Sequence, residues 1–203
     1  MKKIDNHLHD VRIEVVTTTF VASGEPEGIH DLDRFIEALN NPQVSHQIEL
    51  ISPAVRPLYR AADQLHLDAS LLIRRDEIVF ANFEGPSLAA DPDTTQIDAP
   101  VLLLAPPFQI QGLVSLAPGC DPTQALRAMV GGFFAVRKAS VFDADGNALG
   151  EGEQIIVNGA AVQMTAATRQ RIEVPAASRH IDIAPATAAA DIAESPARTQ
   201  RAA

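Results

Sequence analysis

The chain has 203 residues, a length that allows one ordinary domain or two small ones. Hydrophobic residues make up 46% of it and charged residues 21%, close to globular averages, which excludes a wholly disordered chain, a collagen and a membrane bundle. The 26 acidic and 16 basic side chains give a formal net charge of −10. Such an excess of negative charge disfavours general binding to nucleic acid or anionic lipid.

The compartment is predicted from cysteine usage and from the apolar runs. Cys120 is the single cysteine, so no internal disulfide forms, and a lone cysteine is typically a small buried hydrophobe. Lys2 and Lys3 would suit a signal peptide, but acidic and histidine residues occupy the place of its apolar core. The longest apolar run, 99–108, contains three prolines and falls short of the ~20 residues that span a bilayer. These features predict a cytoplasmic, bacterial-type protein without a membrane span.

An internal repeat organises the chain. The segments Phe20–Gly24 and Phe108–Gly112 share the pattern Phe-x-x-x-Gly and lie 88 residues apart. Each is followed by a turn-rich stretch and then by an aspartate that opens a helical pattern. Asp31 is predicted to cap the first helix and Asp121 the second, where Pro122 suits the first helical position.

Each predicted helix is followed by a strand, a turn and an apparent hairpin. Pro53 and Pro57 bracket the turn in the first copy, and Asp143–Asn147 forms it in the second, where the strand's alternation slips in phase. The hairpins are predicted to turn at Arg74–Glu77 and at Asn158–Gly159. Asn-Gly between apolar runs favours a type I′ turn, whose two central residues both have positive φ.

These elements predict a mainly β (α+β) fold with two tandem small domains. Each would be a barrel-like or strongly bent antiparallel sheet with one short helix. The predicted divisions are an N-terminal segment 1–10, a first repeat domain 11–84, a linker 85–98, a second repeat domain 99–174 and a disordered Ala/Pro-rich tail 175–203. A domain of ~75 residues has a marginal core, so the copies are expected to pack on each other or on another chain. The residues expected at that junction are Leu102, Leu103, Leu104, Phe133 and Phe134.

The turn and core positions resemble a family of small bacterial domains of unknown function. Its opening pattern is similar to the segment from Phe108 to Gly119, with Ile110, Gly112, Leu116 and Pro118 at the matching places. Asp143–Asn147, Val157–Asn158 and Leu58–Ala61 match other parts of the family. The resemblance covers about residues 11 to 166 and implies tandem β-rich domains with one short helix each. It brings no catalytic residue.

A candidate metal motif lies near the N-terminus. His7 and His9 alternate along an extended segment after Asp5, so both side chains would face one metal ion. Asp-x-His-x-His resembles the opening of amidohydrolases and metal-dependent phosphoesterases, which need further ligands after later strands of a large barrel. The other histidines do not follow barrel-like strands; they are His30, His46, His66 and His180. A solvated segment is the favoured interpretation, and a metal-dependent hydrolase is the alternative.

A candidate nucleotide motif lies in the first copy. Arg56 and Arg60, followed by Asp68 and Ser70, are similar to the cyclic-dinucleotide motif of PilZ domains, in which arginines grip phosphates. The glycine that ends that motif is replaced here by Ile73. An ordinary exposed arginine pair is the simpler interpretation, and a PilZ-like sensor is a further alternative.

The leading functional interpretation is a non-enzymatic protein–protein interaction or scaffold protein. It is motivated by duplication without a catalytic constellation in the sequence. Such a protein would act through sheet edges and the tail, with a protein partner or further copies of itself. No cofactor and no nucleic-acid partner is implied.

Overall fold

A computed structural model describes residues 11–41, 43, 46–59, 64–85 and 96–167. Within them the chain is mainly β, as predicted, with one large antiparallel sheet and two helices. The predicted N-terminal segment 1–10, most of the linker and the tail 175–203 lie outside the described residues. In chain order the elements are β1 (Arg12–Thr17), β2 (Phe20–Pro26), α1 (Leu32–Asn40), β3 (Gln47–Pro57), β4 (Leu65–His66), β5 (Leu71–Arg74), β6 (Ile78–Glu84), β7 (Ile97–Ala105), β8 (Phe108–Leu116), α2 (Pro122–Met129), β9 (Phe133–Phe142), β10 (Ala148–Asn158) and β11 (Met164–Ala167).

All the strands belong to a single open sheet, in the order β11-β7-β8-β9-β10-β6-β1-β2-β3-β4, with β5 also paired to β3. We call the strands up to β6 the first half and those from β7 onwards the second half. The antiparallel pairing of β6 with β10, here called the seam, joins the halves. The sheet is therefore continuous where the sequence predicted two separate barrel-like sheets.

Two hydrophobic cores lie on opposite faces of this sheet. The first core is built mainly from first-half strands and α1, which contributes Phe35. The second core is built mainly from second-half strands and α2, which contributes Leu126. Because side chains alternate along a strand, β10 reaches both cores, with Ile156 in the first and its neighbours in the second.

Both helices begin as the sequence predicts. The Asp31 carboxylate accepts a hydrogen bond from the Arg34 backbone N–H at 2.8 Å, and the Asp121 carboxylate accepts one from Thr123 N–H at 3.1 Å. Pro122 occupies the first turn of α2, where it costs no hydrogen bond. Among the described residues, neither helix is long and apolar enough to cross a membrane.

The turn predicted between Pro53 and Pro57 is wrong, because β3 continues through Pro53 and ends only at Pro57. Ser52 has a φ of 47°, and the register between β2 and β3 shifts at this point, which marks a β-bulge opposite Gly24. A Cβ on Gly24 would lie 3.1 Å from the Ile51 carbonyl oxygen. The extra residue is absorbed inside the strand instead of ending it.

A second bulge lies at the matching place in β9 and explains the phase slip seen in the sequence. Lys138 also has a φ of 47°, and the register between β8 and β9 shifts opposite Gly112. A Cβ on Gly112 would lie 2.5 Å from Val136 Cγ1 and 2.8 Å from the Arg137 carbonyl oxygen. The glycine that ends each Phe-x-x-x-Gly segment thus leaves room for the bulge across from it.

Neither predicted hairpin forms. Gly159–Ala161 is a short 3-10 turn after β10, and β11 then pairs with β7. Arg75–Glu77 is likewise a 3-10 turn between β5 and β6, and β6 pairs with β1 and β10. Gly159 is needed for close approach rather than positive φ, since a Cβ there would lie 2.4 Å from the Met129 carbonyl oxygen.

The turn Asp143–Asn147 forms as predicted. Gly146 has a φ of 83°, and its N–H donates to the Asp143 carbonyl oxygen at 3.1 Å. The side chain and the backbone N–H of Asn147 both donate to the Asp143 carboxylate. These bonds lower the pKa of that carboxyl group, because they stabilise its charged form.

The bulge in β9 leads to a prediction about stability. Gly112→Ala is expected to lower the free energy of unfolding by about 1–3 kcal/mol, because the added methyl group would overlap β9. Gly131→Ala is the matched control: nothing lies within 4 Å of a Cβ there, so we expect a change within about 0.5 kcal/mol. Urea unfolding followed by circular dichroism measures both. Equal effects of the two substitutions would show that the bulge does not require glycine.

Candidate functional site

A cleft of about 560 Å³ lies where the two halves meet, between the end of α1 and the start of β9. Asn40 bridges it: its amide nitrogen donates to the Phe133 carbonyl oxygen at 2.8 Å, and its side-chain oxygen accepts from Phe133 N–H at 2.7 Å. A Cβ on Gly132 would lie 2.7 Å from that side-chain oxygen, so the glycine admits the asparagine. Asn40 therefore acts as a clamp between the halves.

The other wall of this cleft carries charged side chains of both signs. Arg74 and Arg75 line it beside His46, and Arg74 forms an ion pair with Asp76. Asn158 donates to the Ile78 carbonyl oxygen at 2.8 Å, and its side-chain oxygen accepts from the backbone N–H of Ala160. Both asparagines of the cleft are thus engaged with backbone groups, which fits a structural role.

A polar pocket of about 430 Å³ opens on the sheet face that carries the second core, beyond the end of that core. The strand register builds it: Glu14 on β1 lies opposite Ser23 on β2 and opposite Asn82 on β6. Arg56 on β3 lines the same pocket. The remaining lining residues are Arg12, Ile13, Gln64 and Glu84. These positions are distant in the sequence, so only the strand pairing brings them together.

Two donors in this polar pocket are buried without a partner. Asn82 is 4% exposed, and its amide nitrogen has no hydrogen-bond partner among the described residues. The Arg56 Nη1 atom is also buried and has no hydrogen-bond partner among the described residues. A buried donor without a partner costs about 1–3 kcal/mol. Two such donors in one cavity could each bind an acceptor oxygen of a ligand. Glu14 and Glu84 line the same pocket and offset the charge of Arg12 and Arg56, so the donors and not a net positive charge would select that ligand.

The parts of the predicted nucleotide motif do not all meet at this pocket. Arg56 lines it, but Asp68 and Ser70 are not among its lining residues. Ser70 instead hydrogen-bonds the side chain of Glu49. Arg60 lies outside the described residues. The described geometry therefore retains one arginine of the motif and adds Asn82, which the sequence pattern did not single out.

A pair of carboxyl groups, also missed from the sequence, lies at the start of β3. The side chains of Glu27 and Glu49 share a hydrogen bond that raises the pKa of Glu27, with repulsion from the Glu49 charge adding to the effect. The pKa of Glu49 is lowered, first by its hydrogen bond with Ser70 and then by the bond with Glu27. The backbone bond from Glu27 N–H to the Glu49 carbonyl oxygen, at 3.0 Å, holds the two residues side by side. Glu27 is exposed and Glu49 is half-buried, so the pair has the character of a surface feature in contact with solvent.

Apolar exposure concentrates at the two ends of the sheet. Among the described residues, four large hydrophobic side chains are more than half exposed: Leu65, Leu72, Ile97 and Met164. Leu65 and Leu72 lie on β4 and β5 at one end, and Met164 lies on β11 at the other. Ile97 lies on β7 beyond the last residue that β11 covers.

The residues predicted at the junction fall on both faces of the sheet. Leu103 is fully buried in the second core, whereas Leu102 and Leu104 lie half-buried on the opposite face of β7. Leu104 is paired directly with Met164 of β11. Phe134 lies in the second core. Phe133 lies in the first core, where the Asn40 clamp holds its backbone.

The predicted metal ligands His7 and His9 lie outside the described residues. Among the residues that the structure describes, no group of three or more His, Cys, Asp or Glu side chains is placed to hold a metal ion. Cys120 is exposed, so the expectation of a buried side chain is wrong there. It lies in the turn before α2, where its N–H donates to the Ala117 carbonyl oxygen at 3.2 Å.

No family model matches the chain, and neither a curated protein nor a solved structure shows significant similarity to it. The resemblance to a bacterial domain family stays a prediction. Functional inference therefore rests on the geometry of the chain itself.

The Asn40 clamp makes a stability prediction. Asn40→Ala removes both side-chain bonds to Phe133 and leaves two backbone groups without them, so we expect a loss of about 1–3 kcal/mol in the free energy of unfolding. Asn41→Ala is the matched control, because among the described residues its side chain accepts one hydrogen bond, from the nearby Gln43 N–H at an exposed site. Chemical unfolding of both variants gives the comparison. Equal stability of the two variants would show that Asn40 does not stabilise the contact between the halves.

Proposed function

We propose that the chain is a non-enzymatic interaction or assembly protein made of two copies of one β unit. The matching order of strand pairing supports the duplication. In the first half β1, β2 and β3 pair in sequence with α1 before β3, and β6 returns beside β1. In the second half β7, β8 and β9 pair in sequence with α2 before β9, and β11 returns beside β7. The bulges at Ser52 and Lys138 occupy matching places in β3 and β9.

One observation carries the proposal of an interaction role: among the described residues, three of the four large apolar side chains that are more than half exposed lie on the end strands of the sheet. Unpaired strand edges offer N–H and C=O groups that add a strand from another chain. At these ends Leu65, Leu72 and Met164 supply apolar contacts in addition to backbone hydrogen bonds. We further propose a cytoplasmic setting, on the ground that Cys120 is the single cysteine of the sequence.

The interaction role predicts that partner capture depends on the sheet ends. Affinity capture from the native cell extract is compared between the wild-type chain and the double variant Leu72→Asp/Met164→Asp, each quantified by mass spectrometry. We expect the amount of a stoichiometric partner captured by the double variant to fall at least about tenfold, because charges at both ends oppose strand addition. Val130→Asp, at an exposed residue outside the strands, is the control and is expected to retain the partner. A partner retained equally by all three chains would place the contact elsewhere.

The polar pocket supports a second candidate function, recognition of a small anionic ligand. The supporting observation is that the buried donors on Asn82 and Arg56 have no hydrogen-bond partner within the described part of the chain. This candidate keeps the part of the PilZ-like alternative that concerns phosphate binding by Arg56. The hydrolase alternative at His7 and His9 stays a sequence prediction.

Anion recognition predicts saturable binding that depends on these two donors. Calorimetric titration with inorganic phosphate and with cyclic di-guanylate is compared among the wild type, Arg56→Met and Asn82→Leu. We expect each substitution to weaken binding roughly tenfold or more, since a charge-assisted hydrogen bond is lost. Asn82→Leu should leave stability unchanged or raised, which separates lost binding from lost folding. Arg34→Met, at an exposed residue outside the polar pocket, is the control. The absence of saturable binding of either probe to the wild type would end this candidate.

A further inference from the structure

At the seam, each half places an apolar side chain in the core of the other half. Its register pairs Phe80 with Val157 and Ala81 with Ile156. Phe80, on the last strand of the first half, lies in the second core, and Ile156, from the second half, lies in the first core. Both side chains are 0% exposed. Within the paired residues of the seam, each half thus inserts one large apolar side chain into the core built mainly from the other half.

The strand β11 holds the place in the second half that β6 holds in the first. The hairpin registers align β1 with β7, because Ile13 pairs with Gly24 and Val101 pairs with Gly112. By that alignment Val16, the partner of Phe80, matches Leu104, the partner of Met164. Met164 therefore occupies on β11 the position that Phe80 occupies on β6.

The strand β5 likewise holds in the first half the place that β10 holds in the second. The bulges align β3 with β9, and Glu49 on β3 then matches Ala135 on β9. Glu49 pairs with Leu72, and Ala135 pairs with Ile156. Leu72 therefore occupies on β5 the position that Ile156 occupies on β10.

The two positions differ sharply in exposure from their counterparts in the seam. Leu72 is 57% exposed and Met164 is 52% exposed, whereas Ile156 and Phe80 are 0% exposed. Among the described strands, β5 pairs only with β3 and β11 pairs only with β7, so each presents its other edge. The sheet consequently ends in the two separated halves of a second seam.

We propose that β11 of one chain pairs antiparallel with β5 of a second copy, in the register of the seam. Thr165 would lie opposite Leu72, Met164 would enter the first core of the neighbour, and Leu72 would enter the second core of the chain that supplies β11. This inference rests on the proposed interaction function and names the partner as another copy of this chain. Because the two edges differ, the contact is heterologous and repeats into a ring or a filament.

The test is the size of the purified full chain and of two edge variants. Light scattering and sedimentation are followed over about a hundredfold range of concentration. The wild type is expected to assemble beyond a dimer as concentration rises. Leu72→Asp alone and Met164→Asp alone are each expected to be monomeric, because each lacks one of the two edges. An equimolar mixture of the two variants is expected to form a dimer and stop there, since one intact pair of edges remains.

Circular dichroism and thermal unfolding of both variants, with Val130→Asp as control, show that each is folded before it is sized. A second measurement fixes the register in a Cys120→Ser background. Mild oxidation of a Leu72→Cys chain mixed with a Thr165→Cys chain should give a covalent dimer, and replacing the latter with Ala167→Cys should give at least about tenfold less. Facing residues of an antiparallel pair have Cβ atoms about 5 Å apart, whereas positions two residues out of register lie farther apart.

Specific outcomes would overturn the inference. A wild type that stays monomeric over the whole range contradicts self-assembly, and the proposed interaction function then stands if edge-dependent capture of another protein persists. A dimer of Leu72→Asp alone would indicate pairing of β11 with itself, and a dimer of Met164→Asp alone would indicate pairing of β5 with itself. Assembly that neither substitution affects would exclude the sheet ends and would count against the proposed function as well.

Discussion

The pairing of β6 with β10 is the interaction on which the rest of the structure depends. It joins the strands of both halves into one sheet, and it carries Phe80 and Ile156 across the boundary between the cores. Full burial of a side chain of this size contributes about 1.5–3 kcal/mol. Each half is small, and a unit with so few residues would have only marginal stability if it folded alone. The exchange therefore explains why two small units share one continuous sheet.

The sequence predicted the features that are decided within a few residues. Asp31 and Asp121 cap their helices because a capping carboxylate needs only the next turn of backbone. The repeated Phe-x-x-x-Gly pattern was visible as a pattern, although its cause, a bulge on the neighbouring strand, was not. The residues next to a glycine in the sequence do not indicate which strand will pair beside it or whether that strand contains a bulge.

The features that the sequence missed depend on partner choice between distant strands. Asn158–Gly159 has the composition of a hairpin turn, but β11 leaves β10 and pairs with β7, and no local residue encodes that decision. The polar pocket was missed for the same reason, since Glu14, Ser23 and Asn82 meet only through register. The spacing of arginines is a local signal in the sequence, so it pointed to Arg56. A single asparagine within an apolar strand gives no such signal, so Asn82 was missed.

In the part of the chain that the structure describes, β5 and β11 carry few of the features that usually protect exposed strand edges. Natural sheets guard such edges with charged side chains, proline or bulges. Here β11 reads Met-Thr-Ala-Ala without a charge, and β5 reads Leu-Leu-Ile-Arg, with its single charge at the last position. Inside the chain the same two strand types cover each other and bury their apolar side chains completely. The proposed pairing of β11 with β5 of a second copy would give these two edges the cover that β6 and β10 give each other inside the chain.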